Sequence, residues 1–227
     1  MKLRFVTVAL TASVLAGCVT PPQRAVPLST LDAHAGKVGV AMTALPTVDT
    51  YMPGAGCLLC LAAASVANSK LTAYSHTLPP EGMPELKNTI AELLRKKGVD
   101  AVVINDNLDL KALPKPKAKG PDVASRDFSA LRAKYGVDHL VVIEFNELGF
   151  ERPYASYVPT SDPKGVVAGV GYEVNLSSNT YEWYMPLDVQ VSAEGKWDEP
   201  PKFPGLTNAY FQALEMSKDN LTKPFSG

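Results

Sequence analysis

The chain has 227 residues, and its 22 lysine and arginine residues nearly balance its 23 aspartate and glutamate residues. This near-neutral charge gives no support for nucleic-acid binding, which depends on a basic surface. Apolar residues make up 46% of the chain, enough for a packed core, while 19 prolines predict frequent interruptions of regular structure.

The amino terminus has the pattern of a secretion signal. Residues 1–4, "MKLR", form a short basic start, and residues 5–16 are an apolar stretch too short to span a bilayer comfortably. The sequence "LAGC", Leu15 to Cys18, follows them. It resembles the lipobox of bacterial lipoproteins, which consists of Leu, a small residue, Gly or Ala, and the cysteine that becomes lipidated. An ordinary cleaved signal with a chance cysteine is the alternative interpretation.

The resemblance to bacterial lipoproteins implies a membrane anchor on Cys18. It implies cleavage before this cysteine, a diacylglyceryl group on its sulfur and usually a third acyl chain, which together hold a protein durably on a membrane. Val19 stands where inner-membrane lipoproteins typically have Asp, and this favours the outer membrane, facing the periplasm. The predicted organisation is a signal peptide over residues 1–17, a tether over 18–36 and a single domain over 37–227.

The predicted domain begins with a strand and an apolar segment. Val38, Val40 and Met42 fall on one face of a strand over residues 37–45. Residues 54–67 begin with "GAGC", which ends in the same Ala, Gly and Cys as "LAGC" at the amino terminus. No basic start precedes this second cysteine, Cys57, so we expect no cleavage there. The segment is shorter than the roughly 20 residues of a spanning helix. A buried helix and a membrane-skimming segment are both open.

Cys57 and Cys60 form a pair, "CLLC", within this apolar segment. Three interpretations are open: a structural disulfide, two buried thiols, or a thiol-disulfide exchange site. An exchange site needs an electropositive and partly exposed setting, whereas no charged residue lies between Asp49 and Lys70. Metal binding would be a fourth interpretation, and it is weaker still because the sequence has no second pair of cysteines.

Two units of helix, glycine and strand follow. The first has a helix over residues 84–97, a stop at Gly98 and a buried strand over residues 99–104; the second has a helix over 127–135, a stop at Gly136 and a strand over 137–145. After an initial strand, these units imply parallel crossover connections with helices covering a sheet. We expect four strand side chains to be buried: Val102, Val103, Val141 and Val142.

The last third of the chain changes character. Alternating β-branched and aromatic runs over residues 165–176 and 181–191 flank "SSN", Ser177 to Asn179, which indicates a hairpin. A helix over residues 206–221 is predicted to close the fold. The predicted class is α+β, with a mixed sheet from β-α-β-α-β crossover units followed by an antiparallel hairpin and a C-terminal helix.

A further resemblance rests on three segments of the chain. They are the paired strand starts, "GVDAVVI" at Gly98 and "GVDHLVVI" at Gly136, and the hairpin "YEVNLSSNTYEWY" over residues 172–184. The arrangement resembles periplasmic lipoproteins with an anticodon-binding-domain-like core: the curli-secretion lipoprotein, the penicillin-binding-protein activator lipoproteins and the amino-terminal domain of the Tol β-propeller protein. Relatives often carry Trp on the second hairpin strand, and in this sequence Trp183 stands at that place. The resemblance implies a fold and no particular partner, because one fold serves many functions.

Residue patterns typical of catalysis or cofactor binding are absent from the sequence. His34, His76 and His139 lie far apart and none has the spacing of a metal-binding helix, and the chain contains no G-x-S-x-G elbow, phosphate-binding glycine loop or dinucleotide fingerprint. Glu144 and Glu147 flank Phe145, but the sequence offers no partner to tune them. We therefore expect no catalytic residue, no metal site, no cofactor and no enzymatic activity.

Two sequence features are candidates for a binding surface. Lys115 and Lys117 lie in an extended, proline-rich basic loop that could touch anionic lipid or an acidic partner, although a solvated linker is the simpler interpretation. Tyr181 and Trp183 are predicted by strand alternation to lie on one face, where they could meet glycan or protein.

These observations predict a lipid-anchored, periplasm-facing protein that acts as a non-catalytic binding or assembly module of the cell envelope. The expected contacts are the membrane, through Cys18, and another envelope protein or peptidoglycan; self-association is open. Two alternatives are kept: a periplasmic thiol-disulfide protein that uses Cys57 and Cys60, and a subunit of an oligomeric outer-membrane secretion assembly.

Overall fold

A computed structural model describes residues 23–28 and 36–226, so the predicted signal peptide, Cys18 and most of the predicted tether lie outside the described residues. Within these ranges the strands and helices follow one another in the order β1 (Lys37–Met42), β2 (Asp49–Tyr51), α1 (Leu58–Ala67), α2 (Ser69–Ser75), α3 (Leu86–Lys96), β3 (Asp100–Val103), α4 (Ser129–Tyr135), β4 (His139–Glu151), β5 (Tyr154–Ala155), β6 (Val158–Pro159), β7 (Lys164–Asn175), β8 (Thr180–Ser192) and α5 (Pro204–Thr222), with a final 3-10 turn over Lys223–Phe225.

The main sheet combines parallel and antiparallel pairing. Its strands lie in the order β3-β1-β4-β7-β8, with β1 parallel to both β3 and β4. Strands β4, β7 and β8 are antiparallel to one another in turn. The predicted α+β class, with crossover units, an antiparallel hairpin and a C-terminal helix, is confirmed.

Two predicted helices end next to the glycines that the sequence marks as their stops. Gly136 caps α4 with a left-handed backbone, at φ 63°, and Gly98 follows α3 with φ 82°. Only glycine adopts such angles without a steric penalty, so each helix stops and the chain turns into the strand that follows. Helix α3 buries Leu86, Ile90 and Leu94 on one face, as its sequence spacing predicts.

Apolar clusters cover both faces of the sheet. Side chains from α2, α3 and α5 pack on one face, and side chains from α4 and the loop before it pack on the other. Val141 and Val142 are fully buried, on opposite faces, which confirms that part of the burial prediction. Val102 and Val103 are only partly buried, so the prediction was wrong for them, because β3 is the edge strand of the sheet.

The structure contains pairings that the sequence analysis does not anticipate. Strand β4 is longer than predicted, and its second half pairs in parallel with β2, with Asp49 opposite Gly149. Val26, in the predicted tether, exchanges two backbone hydrogen bonds of 2.9 Å with Tyr184 of β8. The described part of the tether is therefore attached to the domain.

Among the described residues, no helix is long and apolar enough to cross a membrane.

Candidate functional site

Helix α1 is built from the apolar segment that contains both cysteines. Cys57 is its N-cap, and the Cys57 sulfur accepts a hydrogen bond of 2.9 Å from the Cys60 backbone N–H. Alanine and leucine, both strong helix formers, make up most of the helix. The helix ends at Asn68, whose backbone N–H donates to the Ala64 carbonyl over 3.0 Å. Local sequence thus accounts for the helix without extensive packing.

The outer face of α1 is apolar and exposed to solvent. Only Cys60 and Ala64 of the helix are buried. Four large apolar side chains of the helix are exposed, and we call them the α1 surface: Leu58 (88% exposed), Leu59 (72%), Leu61 (45%) and Val66 (76%). Soluble proteins seldom leave such groups together in water unless another molecule covers them.

The short β5–β6 sheet lies at the amino-terminal end of α1. The Tyr157 hydroxyl donates a long hydrogen bond, 3.8 Å, to the Cys57 sulfur. Tyr157 and its neighbour Val158 are both exposed. They add an aromatic and a branched side chain to the apolar surroundings of the helix.

Asn68 holds α1 against the rest of the domain. It is buried, and its side-chain amide donates to the Ala64 carbonyl over 2.8 Å and to the Tyr154 hydroxyl over 2.7 Å. Arg152 donates to the Asn68 side-chain oxygen over 3.1 Å. A small apolar cluster that includes Ala55 and Cys60 lies alongside. The α1 surface is exposed while the helix that carries it is fixed in position.

A disulfide joins Cys57 to Cys60 across the first turn of α1, with 4.9 Å between the two Cα atoms. Cys57 is exposed at the start of the helix, whereas Cys60 is buried beneath it. Exposure at a helix start is one of the two conditions for an exchange site. The other condition is a nearby cation, and residues 50–69 contain no charged side chain.

Tyr181 and Trp183 do not form an exposed surface, which corrects the sequence prediction. Trp183 retains only 2% exposure and Tyr181 only 7%. The two side chains also lie on opposite faces of the sheet, because a β-bulge inserts Glu182 between them: Glu173 pairs with Trp183, while the next residue, Val174, pairs with Tyr181. Sequence alternation does not reveal such an inserted residue.

The basic loop lies on the sheet face that carries α4. Lys115 and Lys117 are exposed, and Leu108 and Leu113 of the same loop pack into the apolar cluster on that face. Trp183 packs on the opposite face, edge-to-face against Phe225 with 5.1 Å between ring centroids. The structure therefore does not bring the two lysines and Trp183 into one binding surface.

A polar cluster that the sequence analysis misses lies between β4, β7 and β8. His139 Nδ1 is 3.0 Å from a carboxylate oxygen of Glu173 and 3.0 Å from one of Glu182. The Glu173 carboxylate holds the pKa of His139 above its ordinary value, and burial raises the pKa of Glu173. The three residues are far apart in sequence, so no motif spacing marks them.

The likeness of this chain to known proteins is confined to solved structures. No protein-family model matches the chain, and no curated protein matches it significantly by sequence. The PelC dodecamer of Paraburkholderia phytofirmans is 10% identical, with 90% of this chain and 96% of that chain covered and a TM-score of 0.39.

Two further solved structures lie in the same range. Protein XCC0632 of Xanthomonas campestris is 12% identical, with 89% and 90% covered and a TM-score of 0.39. Lipoprotein GNA1162 of Neisseria meningitidis is 13% identical, with 80% and 99% covered and a TM-score of 0.28. Similarity at this level carries no argument about the function of this chain.

Proposed function

We propose that the protein is a lipid-anchored module of the bacterial outer membrane that faces the periplasm and binds another envelope protein through the α1 surface, without catalysis. The observation that carries this proposal is the set of four exposed apolar side chains on a helix fixed to the domain by Asn68. The lipobox-like sequence that ends at Cys18 supports the location.

Covering the α1 surface would supply the binding energy. Burial of a Leu or Val side chain contributes about 1.5–3 kcal/mol when it is complete. Four such side chains, partly covered by a partner, provide several kcal/mol before the costs of association are subtracted. This is enough to support specific docking when the anchor already confines both proteins to one membrane.

The occupant favoured by the local chemistry is a protein. Helices that lie in a membrane surface usually carry Lys or Arg on their polar face. Helix α1 and its flanks carry no charged residue between Asp49 and Lys70. A second copy of this chain is a special case of a protein partner, and it would make the chain a subunit of an oligomeric assembly.

The anchor would hold the domain close to the membrane. Val26 is bound to Tyr184 of β8, and eight residues lead from Cys18 to Val26 (26 − 18 = 8). A fully extended chain spans at most about 3.5 Å per residue, so the reach from Cys18 to the domain is at most about 28 Å. Partners within or beside the outer membrane are therefore favoured over distant ones.

Photo-crosslinking in intact cells tests the proposal. A photoreactive amino acid replaces Leu59 on the α1 surface, and the control places it at Lys117 in the exposed loop that packs on the α4 face of the sheet. We expect the Leu59 probe to give a discrete crosslinked product that the Lys117 probe does not give. Failure of the Leu59 probe to crosslink to any protein in the envelope would contradict the proposal.

Thiol-disulfide exchange is a second candidate function, favoured by the exposed position of Cys57 at a helix start. It predicts that mild reduction makes Cys57 accessible to an alkylating reagent in the folded protein. It also predicts that the pre-reduced dithiol form reduces a model disulfide substrate while Cys57 and Cys60 re-form their disulfide, and that this activity is lost in Cys57→Ser and kept in Cys18→Ala. Thiols that react only after unfolding would exclude this candidate.

A further inference from the structure

Three potential metal ligands converge from three neighbouring strands of the sheet. His139 begins β4, Glu173 lies near the end of β7, and Glu182 lies near the start of β8. Glu173 is opposite Val141, two residues beyond His139, so both side chains emerge on the same face. The β-bulge at Glu182 redirects this third side chain toward the other two.

The distances between the ligand atoms suit one small cation. His139 Nδ1 lies 3.0 Å from Glu173 Oε1 and 3.0 Å from Glu182 Oε2, and one ligand atom from each residue lies within 4.8 Å of the others. Divalent metals bind imidazole nitrogen and carboxylate oxygen at about 2.1 Å, so two ligands at right angles stand about 3.0 Å apart. The two 3.0 Å separations from His139 thus match adjacent corners of a coordination shell, and the two carboxylates lie within 4.8 Å of each other.

Glu173 lacks any other partner that would explain its burial. Its side chain has 0% exposure, and neither of its oxygens has a hydrogen-bond partner among the described residues. His139 Nδ1 likewise has no hydrogen-bond partner of suitable geometry among the described residues, although both carboxylates lie close to it. An ionised carboxylate buried in this way is costly unless a cation balances it, and that cation is either protonated His139, 3.0 Å away, or a metal ion that displaces the His139 proton.

A hydrogen bond orients Glu182 within the cluster. The Asn175 amide donates to Glu182 Oε1 over 2.9 Å, and this leaves Oε2 directed at His139. The Asn175 side-chain oxygen in turn accepts from the Ser177 N–H and hydroxyl at the hairpin turn, over 3.0 and 2.6 Å. Partners of this kind fix the orientation of ligands in metal sites.

The cluster is open to solvent on one side. The side chain of Glu182 is 32% exposed and that of His139 is 13% exposed, whereas Glu173 is closed off. An ion can therefore enter past Glu182, and water can complete its coordination there. Two carboxylates and a neutral imidazole would also balance the charge of a divalent ion.

We propose that His139, Glu173 and Glu182 bind one divalent transition-metal ion, with Zn²⁺ as the probe. Imidazole combined with carboxylate is a donor set suited to zinc and its neighbours. The ion ties the starts of β4 and β8 to the end of β7. It therefore fixes the end of the sheet that carries the hairpin turn.

Metal titration of the full-length chain, purified without a tag and stripped with a chelator, tests this site. We expect one Zn²⁺ per chain, measured by calorimetry, with a micromolar or lower dissociation constant and a rise in Tm. Co²⁺ in place of Zn²⁺ should give visible absorption bands typical of a coordinated ion. Binding of less than one equivalent at 100 µM Zn²⁺ would overturn the proposal.

Variants separate this site from adventitious binding. Glu182→Gln changes the most exposed ligand, so the protein should fold, and we expect at least a tenfold weaker affinity. Glu173→Gln should weaken binding further. His76→Gln is the matched control, because His76 forms only a surface pair with Asp49 and should leave the affinity unchanged. Equal affinity in wild type and Glu182→Gln would refute the assignment.

Discussion

The Asn68 side-chain amide donates a hydrogen bond of 2.7 Å to the Tyr154 hydroxyl, across 86 positions of the chain. Asn68 lies at the junction of α1 and α2, and Tyr154 begins the small β5–β6 sheet. The bond is buried, and it connects the helix that carries the α1 surface to the segment beside it. A helix with little apolar packing is thereby held in one orientation.

Tyr154→Phe should therefore lower stability. It leaves the ring in place but removes the acceptor of a buried amide, which costs about 1–3 kcal/mol in free energy of unfolding. Urea denaturation measures this loss. Tyr157→Phe serves as the control, because the Tyr157 side chain is exposed and its hydroxyl makes only a long contact with sulfur. An equal effect of both substitutions would contradict the role given to Asn68.

Substitution on the α1 surface should separate binding from folding. The double variant Leu58→Ser with Leu59→Ser removes side chains that are already in water, so we expect the free energy of unfolding to change by less than about 0.5 kcal/mol. Crosslinking through a probe at Val66 should be lost. By contrast, Leu71→Ala empties a buried position of α2 and should cost about 2–5 kcal/mol.

A large loss of stability in the Leu58→Ser, Leu59→Ser double variant would show that these side chains support the fold. Unchanged crosslinking in a fully folded double variant would show that the α1 surface does not contact the partner.

Glu144 should make stability depend on pH. Burial raises the pKa of Glu144 above its ordinary value of 4.5, so the folded state holds the proton more tightly than the unfolded state. Ionised Glu144 therefore destabilises the fold at neutral pH, and the penalty disappears as the pH falls below 4.5. Glu144→Gln should raise the free energy of unfolding at pH 7.5, with the gain shrinking toward pH 4.

The matched control for this pH test is Glu92→Gln, at an exposed position of α3. Urea denaturation at both pH values gives the comparison. A gain for Glu144→Gln that is the same at pH 4 and pH 7.5 would exclude ionisation as its cause.

Gly165 allows α5 to approach the sheet closely. A Cβ atom on Gly165 would lie 2.5 Å from the backbone of Ala209 and Tyr210. Gly165→Ala should therefore displace α5 and lower the free energy of unfolding by about 1–3 kcal/mol. Gly56→Ala is the control, since a Cβ there meets nothing within 4 Å. Thermal denaturation of the two variants should show a lower Tm for Gly165→Ala only.

The elements that follow local rules were predictable from the sequence. Helix α3 has apolar side chains at helical spacing and a glycine after its end, and the hairpin of β7 and β8 alternates around a polar turn. These patterns depend on residues that are near one another in the chain. The parallel crossover followed because two similar units succeed an initial strand.

The elements that depend on distant contacts were not predictable. Glu182 enters the sheet as an extra residue, and this reverses the relative orientation of Tyr181 and Trp183. The exposure of Leu58 and Leu59 follows from where α1 is attached, since an apolar run alone is equally typical of a buried helix. His139, Glu173 and Glu182 meet only through strand register.

We propose that this domain works while held at the membrane by acyl groups on Cys18. Intact mass spectrometry of the protein extracted from membranes, beside a Cys18→Ala variant, tests it most directly. We predict a chain that begins at Cys18 and carries acyl groups, with both features lost in the variant. An unmodified chain in the soluble fraction would contradict the claim.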